Sequence, residues 1–324
     1  MNSSRLQVIN QLKTSEEPSI RYSEAVSLDN ENPNSSKMRN LQEEIRNSSR
    51  VQSLLSHTEG VYNKWQGAHW VLSLLAELIY PSVDESLLPL LDQVYNWLFS
   101  PKFIKSIKTI NGKVRRCASQ EGNAIYYSHK LGLVDERTEQ LVDRLLEFQW
   151  SDGGWNCDKN PTAHHSSYHE SLIPLRALIR HLKDAGKQMS KNRRNAIQNA
   201  IENAKEVFLK RELYLSASTG KIIHPNFALL HFPYYWRYNI LFALKVMNEG
   251  GFLADLRCQK ALKYILSKEL PKGGFPAEIK YYTYSTTARS GRSVVNWGGS
   301  SKKKFNEWVT SEVFSIQKNT DKKE

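Results

Sequence analysis

Cysteine and histidine are the residue types in this sequence that best suit chemistry at a metal ion. Two cysteines with one histidine are a known ligand set for catalytic zinc, and they leave a fourth position open for water or a thiol. Cys117 and Cys157 are the candidate thiol ligands, and His231 is the candidate third ligand, with His165 or His169 as alternatives. The two cysteines match no compact zinc motif, so half-buried thiols without a metal are the competing interpretation.

Three further residues are candidates for acid–base catalysis, namely Asp158, His69 and Glu121. A carboxyl group in an aromatic pocket has a raised pKa and can act as a general acid, the step that starts a carbocation cyclisation. Asp158 also follows the glycine pair Gly153-Gly154, and aspartate is common beside such turns. A catalytic and a structural role are therefore both open for Asp158.

Aromatic residues are abundant enough to line a pocket as well as a core. The sequence contains eight Trp and fifteen Tyr, whose rings can also stabilise cationic intermediates. An arginine at a helix start can bind an anionic head group such as diphosphate. The predicted substrate-binding residues are Trp65, Trp155, Trp236, Arg237 and Trp297.

The bulk composition is that of a globular protein of 324 residues with a net charge of +12. The basic residues are dispersed, which indicates a solvated surface; nucleic acid is not the favoured partner, although the charge keeps that class open. Three cysteines argue against a disulfide framework. No signal peptide and no transmembrane segment are predicted, so we expect a cytoplasmic protein.

The apolar pattern predicts helices that alternate between buried and half-exposed. A polar N-terminal extension is predicted over 1–37, followed by one helical domain over 38–324 that starts with a helix at 37–55. Buried helices are predicted at 65–80, 119–131, 166–183 and 235–248. Half-exposed helices are predicted at 86–99, 135–148, 190–212 and 254–269, with a last helix at 302–317 and an irregular loop at 281–287.

An internal repeat relates two parts of this pattern. The turn at 149–155 aligns with the turn at 269–275, and upstream of them 123–128 aligns with 239–244. Helix pairs with one buried and one half-buried member cannot bury their apolar faces alone. We therefore expect them to stack into a solenoid or to close into a ring.

The turn Gln149 to Trp155 resembles the QW repeat of the terpenoid cyclase and protein prenyltransferase superfamily, which includes the squalene cyclases. The resemblance is closer to bacterial prenyltransferase/squalene-oxidase repeat proteins, and it covers roughly residues 40 to 318. The segments that carry it are 64–70, 116–123, 152–161, 231–238 and 296–299.

The resemblance implies an all-α protein, an α/α toroid with an N-terminal helical extension. In such a ring the N-terminal ends of the inner helices converge, which would bring the candidate residues together. It further implies an enzyme that acts on an apolar, isoprenoid-like substrate in an aromatic-lined central cavity. A zinc-dependent enzyme on the same fold and a non-catalytic module that binds lipid, peptide or nucleic acid are the alternatives.

The departures from these families leave the reaction open. The chain lacks the Asp-x-Asp-Asp motif of squalene cyclases and has room for only one of their two domains. Where protein prenyltransferases have an Asp-x-Cys zinc pair, it reads Asn156-Cys157-Asp158. Lanthionine cyclases use a Cys-Cys-His zinc site, but their Trp-Cys-Tyr-Gly and Cys-His-Gly segments are missing. No family mechanism therefore transfers residue by residue.

Overall fold

The computed structural model describes residues 3–321, which are mostly α-helical. Within that range there are fourteen α-helices. They are α1 (Ser3–Lys13), α2 (Pro18–Ser27), α3 (Ser36–Arg46), α4 (Ser49–Ser56), α5 (Ala68–Glu77), α6 (Leu88–Leu98), α7 (Pro101–Ser106), α8 (Ala118–Lys130), α9 (Glu136–Glu147), α10 (Tyr168–Ala185), α11 (Lys191–Leu209), α12 (Ile240–Glu249), α13 (Gln259–Leu266) and α14 (Glu307–Asp321). None of these helices is long and apolar enough to span a membrane.

Two pairs of short strands interrupt the helices. Strands β1 (Lys108–Ile110) and β2 (Lys113–Arg115) form an antiparallel hairpin immediately before α8. Strands β3 (Thr283–Tyr284) and β4 (Arg292–Ser293) pair in parallel. The segment 281–287, predicted as irregular throughout, thus includes one two-residue strand.

Capping explains where the helices begin. Asp135 caps α9 by accepting from the backbone N–H of Arg137, and Thr138 completes a capping box. The helix predicted over 37–55 is divided instead, because Ser48 accepts a hydrogen bond from the backbone N–H of Val51 and begins α4. The apolar stripe continues across the break, which is why the pattern alone indicated a single helix.

Six helices form a continuous series of contacts. Helix α5 contacts α8, which contacts α10, then α12, α14 and α2, and α3 and α4 connect α2 back to α5. Five further helices each contact a member of this series: α6 contacts α5, α9 contacts α8, α11 contacts α10, α13 contacts α12 and α1 contacts α2. Helices α8 and α10 are in close contact where Gly122 faces Pro174, since a Cβ at Gly122 would lie 2.9 Å from the Pro174 nitrogen.

The N-terminal residues predicted as a polar extension are part of the packed structure. Val8 and Leu12 of α1 and Ile20 and Ala25 of α2 are buried in the same hydrophobic core as the rest of the chain. Helix α2 also contacts α14. The sequence predicted a polar extension because α1 buries only Val8 and Leu12, while α2 buries polar side chains such as Ser19 and Glu24 beside its apolar ones. The composition of 1–37 is therefore polar although these helices pack into the core.

The two aligned turns have the same hydrogen bonds. Trp150 N–H donates to Gly154 O at 2.8 Å, and Leu270 N–H donates to Gly274 O at 2.9 Å. After each turn a hydroxyl on the following buried helix accepts from the backbone: Ser171 Oγ from Trp155 N–H at 3.0 Å, and Thr310 Oγ1 from Phe275 N–H at 2.9 Å. The repeat holds for the turns. It fails upstream, since 239 caps α12 whereas 123 lies within α8.

Charged side chains meet between the buried helices. The Arg176 guanidinium on α10 binds both carboxylate oxygens of Glu249 on α12, at 2.7 and 2.8 Å, and also binds Glu77 on α5. Lys245 on α12 pairs with Glu312 on α14. These ion pairs therefore connect four of the six helices in the contact series.

Candidate metal centre

Main-chain hydrogen bonds bring the two candidate cysteines side by side. Cys117 is the N-cap residue of α8, directly after β2, and Cys157 lies in the loop between α9 and α10. Arg115 and Asn156 form a parallel β-bridge, and Arg116 N–H donates to Asn156 O at 3.0 Å. Adjacent paired strands lie about 4.8 Å apart, so this bridge sets the separation of the segments that carry the thiols.

A buried carboxylate completes a cluster with these thiols. The sulfur atoms of Cys117 and Cys157 and one carboxylate oxygen of Glu170 all lie within 4.8 Å of one another. Glu170 lies in the first turn of α10, where its Oε2 accepts from Ser119 N–H at 3.0 Å. The Cys157 thiol donates to Glu170 Oε1 at 3.4 Å. The carboxylate is thereby oriented toward the sulfur atoms.

The surroundings of the cluster favour protonated groups when no cation is bound. Contact with the Cys117 thiol raises the pKa of Cys157 far above its ordinary value, and burial and the nearby Glu170 carboxylate add to the shift. Burial also raises the pKa of Glu170, against the hydrogen bond from Ser119. A bound divalent cation would reverse this preference, because it stabilises thiolate and carboxylate together.

The thiols open onto a cleft of about 510 Å³. Both cysteines are half-buried, so they can be reached from the cleft while Glu170 lies behind them. The lining combines apolar, hydroxyl and cationic side chains: Val61, Trp97, Ser100, Lys102, Phe103, Ser106, Ile107, Arg115, Arg116, Gln120 and Lys159. The volume is within the range of small-molecule sites.

The histidines considered as a third ligand have other partners. His231 is buried, and its Nδ1 lies 2.7 Å from Asn239 Nδ2. His169 Nδ1 accepts from the backbone N–H of Tyr238 at 2.8 Å. The ring of His165 contacts that of His164, with centroids 4.1 Å apart and the ring planes tilted by 50°. Across residues 3–321 the only group of three metal-capable side chains is the one with Glu170.

Sequence reasoning missed Glu170, although it follows His169 directly. The available signal was a glutamate in the first turn of a helix whose next residues, 171–179, are mostly apolar and are buried. An acidic residue is favoured near a helix N-terminus, so its position alone had an ordinary explanation. Only the fold shows that this carboxylate faces two thiols from other segments.

The three predicted acid–base residues lie outside the lining of this cleft. His69 is fully buried, with its Nδ1 3.4 Å from the Tyr127 hydroxyl, and burial lowers its pKa to about 3. Glu121 is buried in an ion pair with Arg116 and lies 3.5 Å from Arg144 Nη1. Asp158 is exposed and accepts from Asn160 N–H at 2.9 Å, as expected of a turn residue.

Most of the predicted aromatic set belongs to the core. Trp155 and Trp297 are fully buried, and Trp65 stacks on Tyr235 with ring centroids 3.8 Å apart. The Arg237 guanidinium lies over the half-buried ring of Trp236, 4.5 Å from its centroid. The aromatic residues that do line the cleft are Trp97 and Phe103, which the sequence did not single out.

Comparison with known proteins gives no match for this chain. No protein-family model matches it, and no curated protein is significantly similar to it. The resemblance to prenyltransferase-like repeat proteins therefore stays a prediction.

Proposed function

We propose that this protein is a zinc-dependent enzyme whose metal ion is bound by Cys117, Cys157 and Glu170. The observation that carries the proposal is the convergence of three donor atoms, from three separate segments, within 4.8 Å beside a cleft. Catalytic zinc sites have three protein ligands and an open fourth position. The half-buried thiols direct that position toward the cleft.

The donor set favours zinc over harder cations. Thiolate ligands select zinc and other soft or borderline metals, whereas Mg²⁺, Ca²⁺ and Mn²⁺ prefer oxygen ligands. When zinc is bound it acts as a Lewis acid and lowers the pKa of a bound water to about 7. The protein would contribute the fixed spacing of the thiols, the buried carboxylate and the lining that selects the substrate.

We further propose that the helices close into an α/α toroid. The contact series α5, α8, α10, α12, α14 and α2 supports six inner helices, each with an outer partner. The aligned turns support closure: Gly153 packs against Asn203 on the next outer helix, α11, and Gly273 packs against Ser4 on α1. Helix α1 thus contacts the turn that follows α13, as α11 contacts the turn that follows α9.

The isoprenoid substrate implied by the resemblance receives less support. Its predicted aromatic cavity would need accessible rings at Trp65, Trp155 and Trp297, which are buried. Ion pairs around Arg176 occupy the space between the inner helices. No specific contact favours a non-catalytic module that binds lipid, peptide or nucleic acid.

Zinc titration tests the proposed centre. We expect protein purified without added metal to contain zinc or to bind it stoichiometrically in competition with a chromophoric chelator. Cys117→Ser, Cys157→Ser and Glu170→Gln should each weaken binding by at least about 100-fold, because each removes one ligand. Cys258→Ser is the matched control, since Cys258 is buried outside the cluster.

Wild-type protein that fails to bind zinc at micromolar concentration would contradict the proposal. So would ligand variants that bind zinc as tightly as Cys258→Ser. Circular dichroism and thermal unfolding of every variant would distinguish loss of the site from loss of the fold.

A further inference from the structure

We infer that the cleft binds a small organic anion with an apolar body. Its oxyanion would lie against the cationic lining of Lys102, Arg115 and Lys159, and its apolar part against Trp97 and Phe103. This substrate class rests on the proposed function, because the metal centre would act on the ligand held there. Binding of the anion itself can be measured without the metal.

The charge of the cleft is strongly one-sided. Lys102, Arg115, Arg116 and Lys159 line it, and no acidic side chain is among its lining residues. Arg116 is neutralised by Glu121. In the described part of the chain the other three cations form no salt bridge, so the cleft has three uncompensated positive charges. Clefts lined by charge of one sign concentrate ligands of the opposite charge.

Arg115 adds an unusual element to this lining. Only 1% of its surface is exposed, and its Nη2 donates to Ala163 O at 2.6 Å. Its Nε and Nη1 atoms have no hydrogen-bond partner among the described residues. The ring of Trp150 covers the guanidinium at 4.6 Å. A buried cation without a counter-ion is unfavourable, and an anion nearby would lower that penalty.

The apolar part of the lining comes from the same segments. Trp97 and Phe103 contact each other edge to face, with ring centroids 5.2 Å apart, and both are half-exposed. Val61 and Ile107 extend this apolar surface. Lys102 and Phe103 are consecutive residues of α7, so charge and ring are presented together. A ligand with both an anionic and an apolar group would use the whole lining.

Either a carboxylate or a phosphate could supply the anionic group of the ligand. Aromatic probes that differ only in this group distinguish the two. We would titrate the full chain, with and without zinc, with phenyl phosphate, benzoate, inorganic phosphate and benzylamine by calorimetry. We expect the two aromatic anions to bind more tightly than inorganic phosphate, and benzylamine not to bind. The tighter of the two aromatic anions identifies the oxyanion. Added salt should weaken anion binding, because screening reduces the attraction.

Two double variants, each with two lysines replaced by glutamate, test where the anion binds. Lys102→Glu/Lys159→Glu should weaken aromatic-anion binding by at least about 10-fold. Lys187→Glu/Lys191→Glu makes the same change in net charge at exposed lysines away from the cleft and should bind like the wild type. Equal affinity in the two double variants, or no anion binding by the wild type at millimolar concentration, would overturn the inference.

Zinc binding is measured in the same variants. If the lysine variants keep zinc but lose the anion, the anion site is supported. If Cys117→Ser loses neither zinc nor anion, the proposed metal centre fails while the anion site stands. The two failures are therefore distinguishable.

Discussion

The three cysteines occupy two different environments. Cys117 and Cys157 are half-buried and line the cleft. Cys258 is buried, its Sγ lies 3.8 Å from Phe252 O, and burial raises its pKa to about 12. Reactivity of a thiol depends on access and on the thiolate fraction, so the two environments should be separable by chemical modification.

Thiol counting gives the first prediction. In the native protein at pH 8, Ellman's reagent should modify Cys117 first and Cys157 more slowly, because the raised pKa of Cys157 lowers its thiolate fraction. Cys258 should stay unmodified until a denaturant is added. Bound zinc should protect both cleft thiols by at least about 10-fold in rate, because it occupies the nucleophilic sulfurs. Rapid modification of Cys258, or no protection by zinc, would contradict the assignment.

Glu24 is a second residue with an unusual environment. Its side chain is buried in α2, and burial raises its pKa to about 7. The Ser311 hydroxyl and Lys13 oppose the shift, whereas Asp29 and Glu312 add to it. Between the unfolded value of 4.5 and about 7 the folded state holds more protons than the unfolded state. Folding stability from this group therefore falls as pH rises through that window.

Glu24→Gln should remove this pH dependence. Relative to the wild type, we expect the variant to gain up to roughly 3 kcal/mol in free energy of unfolding between pH 4.5 and pH 8, since one pKa unit corresponds to about 1.4 kcal/mol. Urea unfolding at several pH values measures it, with the exposed Glu16→Gln as control. A difference that does not change with pH would disprove a titrating Glu24.

Among the individual residues, the sequence identified the two cysteines of the cluster but not the third member, Glu170. The cysteines were recognisable by residue type, and their meeting followed from the expected convergence of helix starts. Glu170 was not recognisable, because its importance arises from the hydrogen bond from Ser119 and from contacts between separate segments. His69 and Glu121 were plausible by type, but burial and Arg116 give them structural surroundings.

Among the secondary-structure elements, the turn after α9 packs closely against α11. Gly153 has φ +104°, and a Cβ there would lie 2.2 Å from Asn203 O on α11. The Gln149 amide crosses the same contact, donating to Ala200 O at 2.9 Å. The glycine is therefore required both by its backbone conformation and by the space available.

Gly153→Ala should destabilise the fold by more than about 2 kcal/mol, because the clash is with main chain that cannot rotate away. Gly251→Ala is the matched control: Gly251 has φ +76°, with nothing within 4 Å of an added Cβ. It should cost only about 1 kcal/mol, the strain of a positive φ. Equal losses in thermal or urea unfolding would show that the contact with α11 is not tight.

Apolar periodicity was sufficient for most helices, because buried and half-buried helices have different apolar patterns. It failed where a local hydrogen bond determines where a helix ends, or where a distant part of the chain determines whether a helix is buried. Ser48 breaks the predicted helix over 37–55. The β1 and β2 strands have three residues each, too few for periodicity to reveal, although Asn111-Gly112 between them is a favoured hairpin turn that was missed. Helices α1 and α2 looked like an extension, since their burial depends on neighbours from the other end of the chain, such as α14.

For the whole molecule, the ion pairs around Arg176 are expected to stabilise one arrangement of the buried helices. Arg176→Ala would leave Glu77 and Glu249 without their shared cation. Removal of one partner from a buried pair costs about 3 to 5 kcal/mol. Arg180→Ala, in the partly exposed pair with Asp184, should cost less than about 1 kcal/mol. Urea unfolding compares them, and similar losses would refute a dominant role for the buried network.

The parallel bridge between Arg115 and Asn156 has a consequence for metal selectivity. Because backbone hydrogen bonds hold these segments together, the side chains at Cys117 and Cys157 can be exchanged without removing the contact that spaces them. A Cys117→Asp/Cys157→Asp variant would present three carboxylates instead of two thiols and one carboxylate. Hard oxygen donors prefer Mn²⁺ or Mg²⁺. The same backbone could thus support metal centres of opposite chemical hardness.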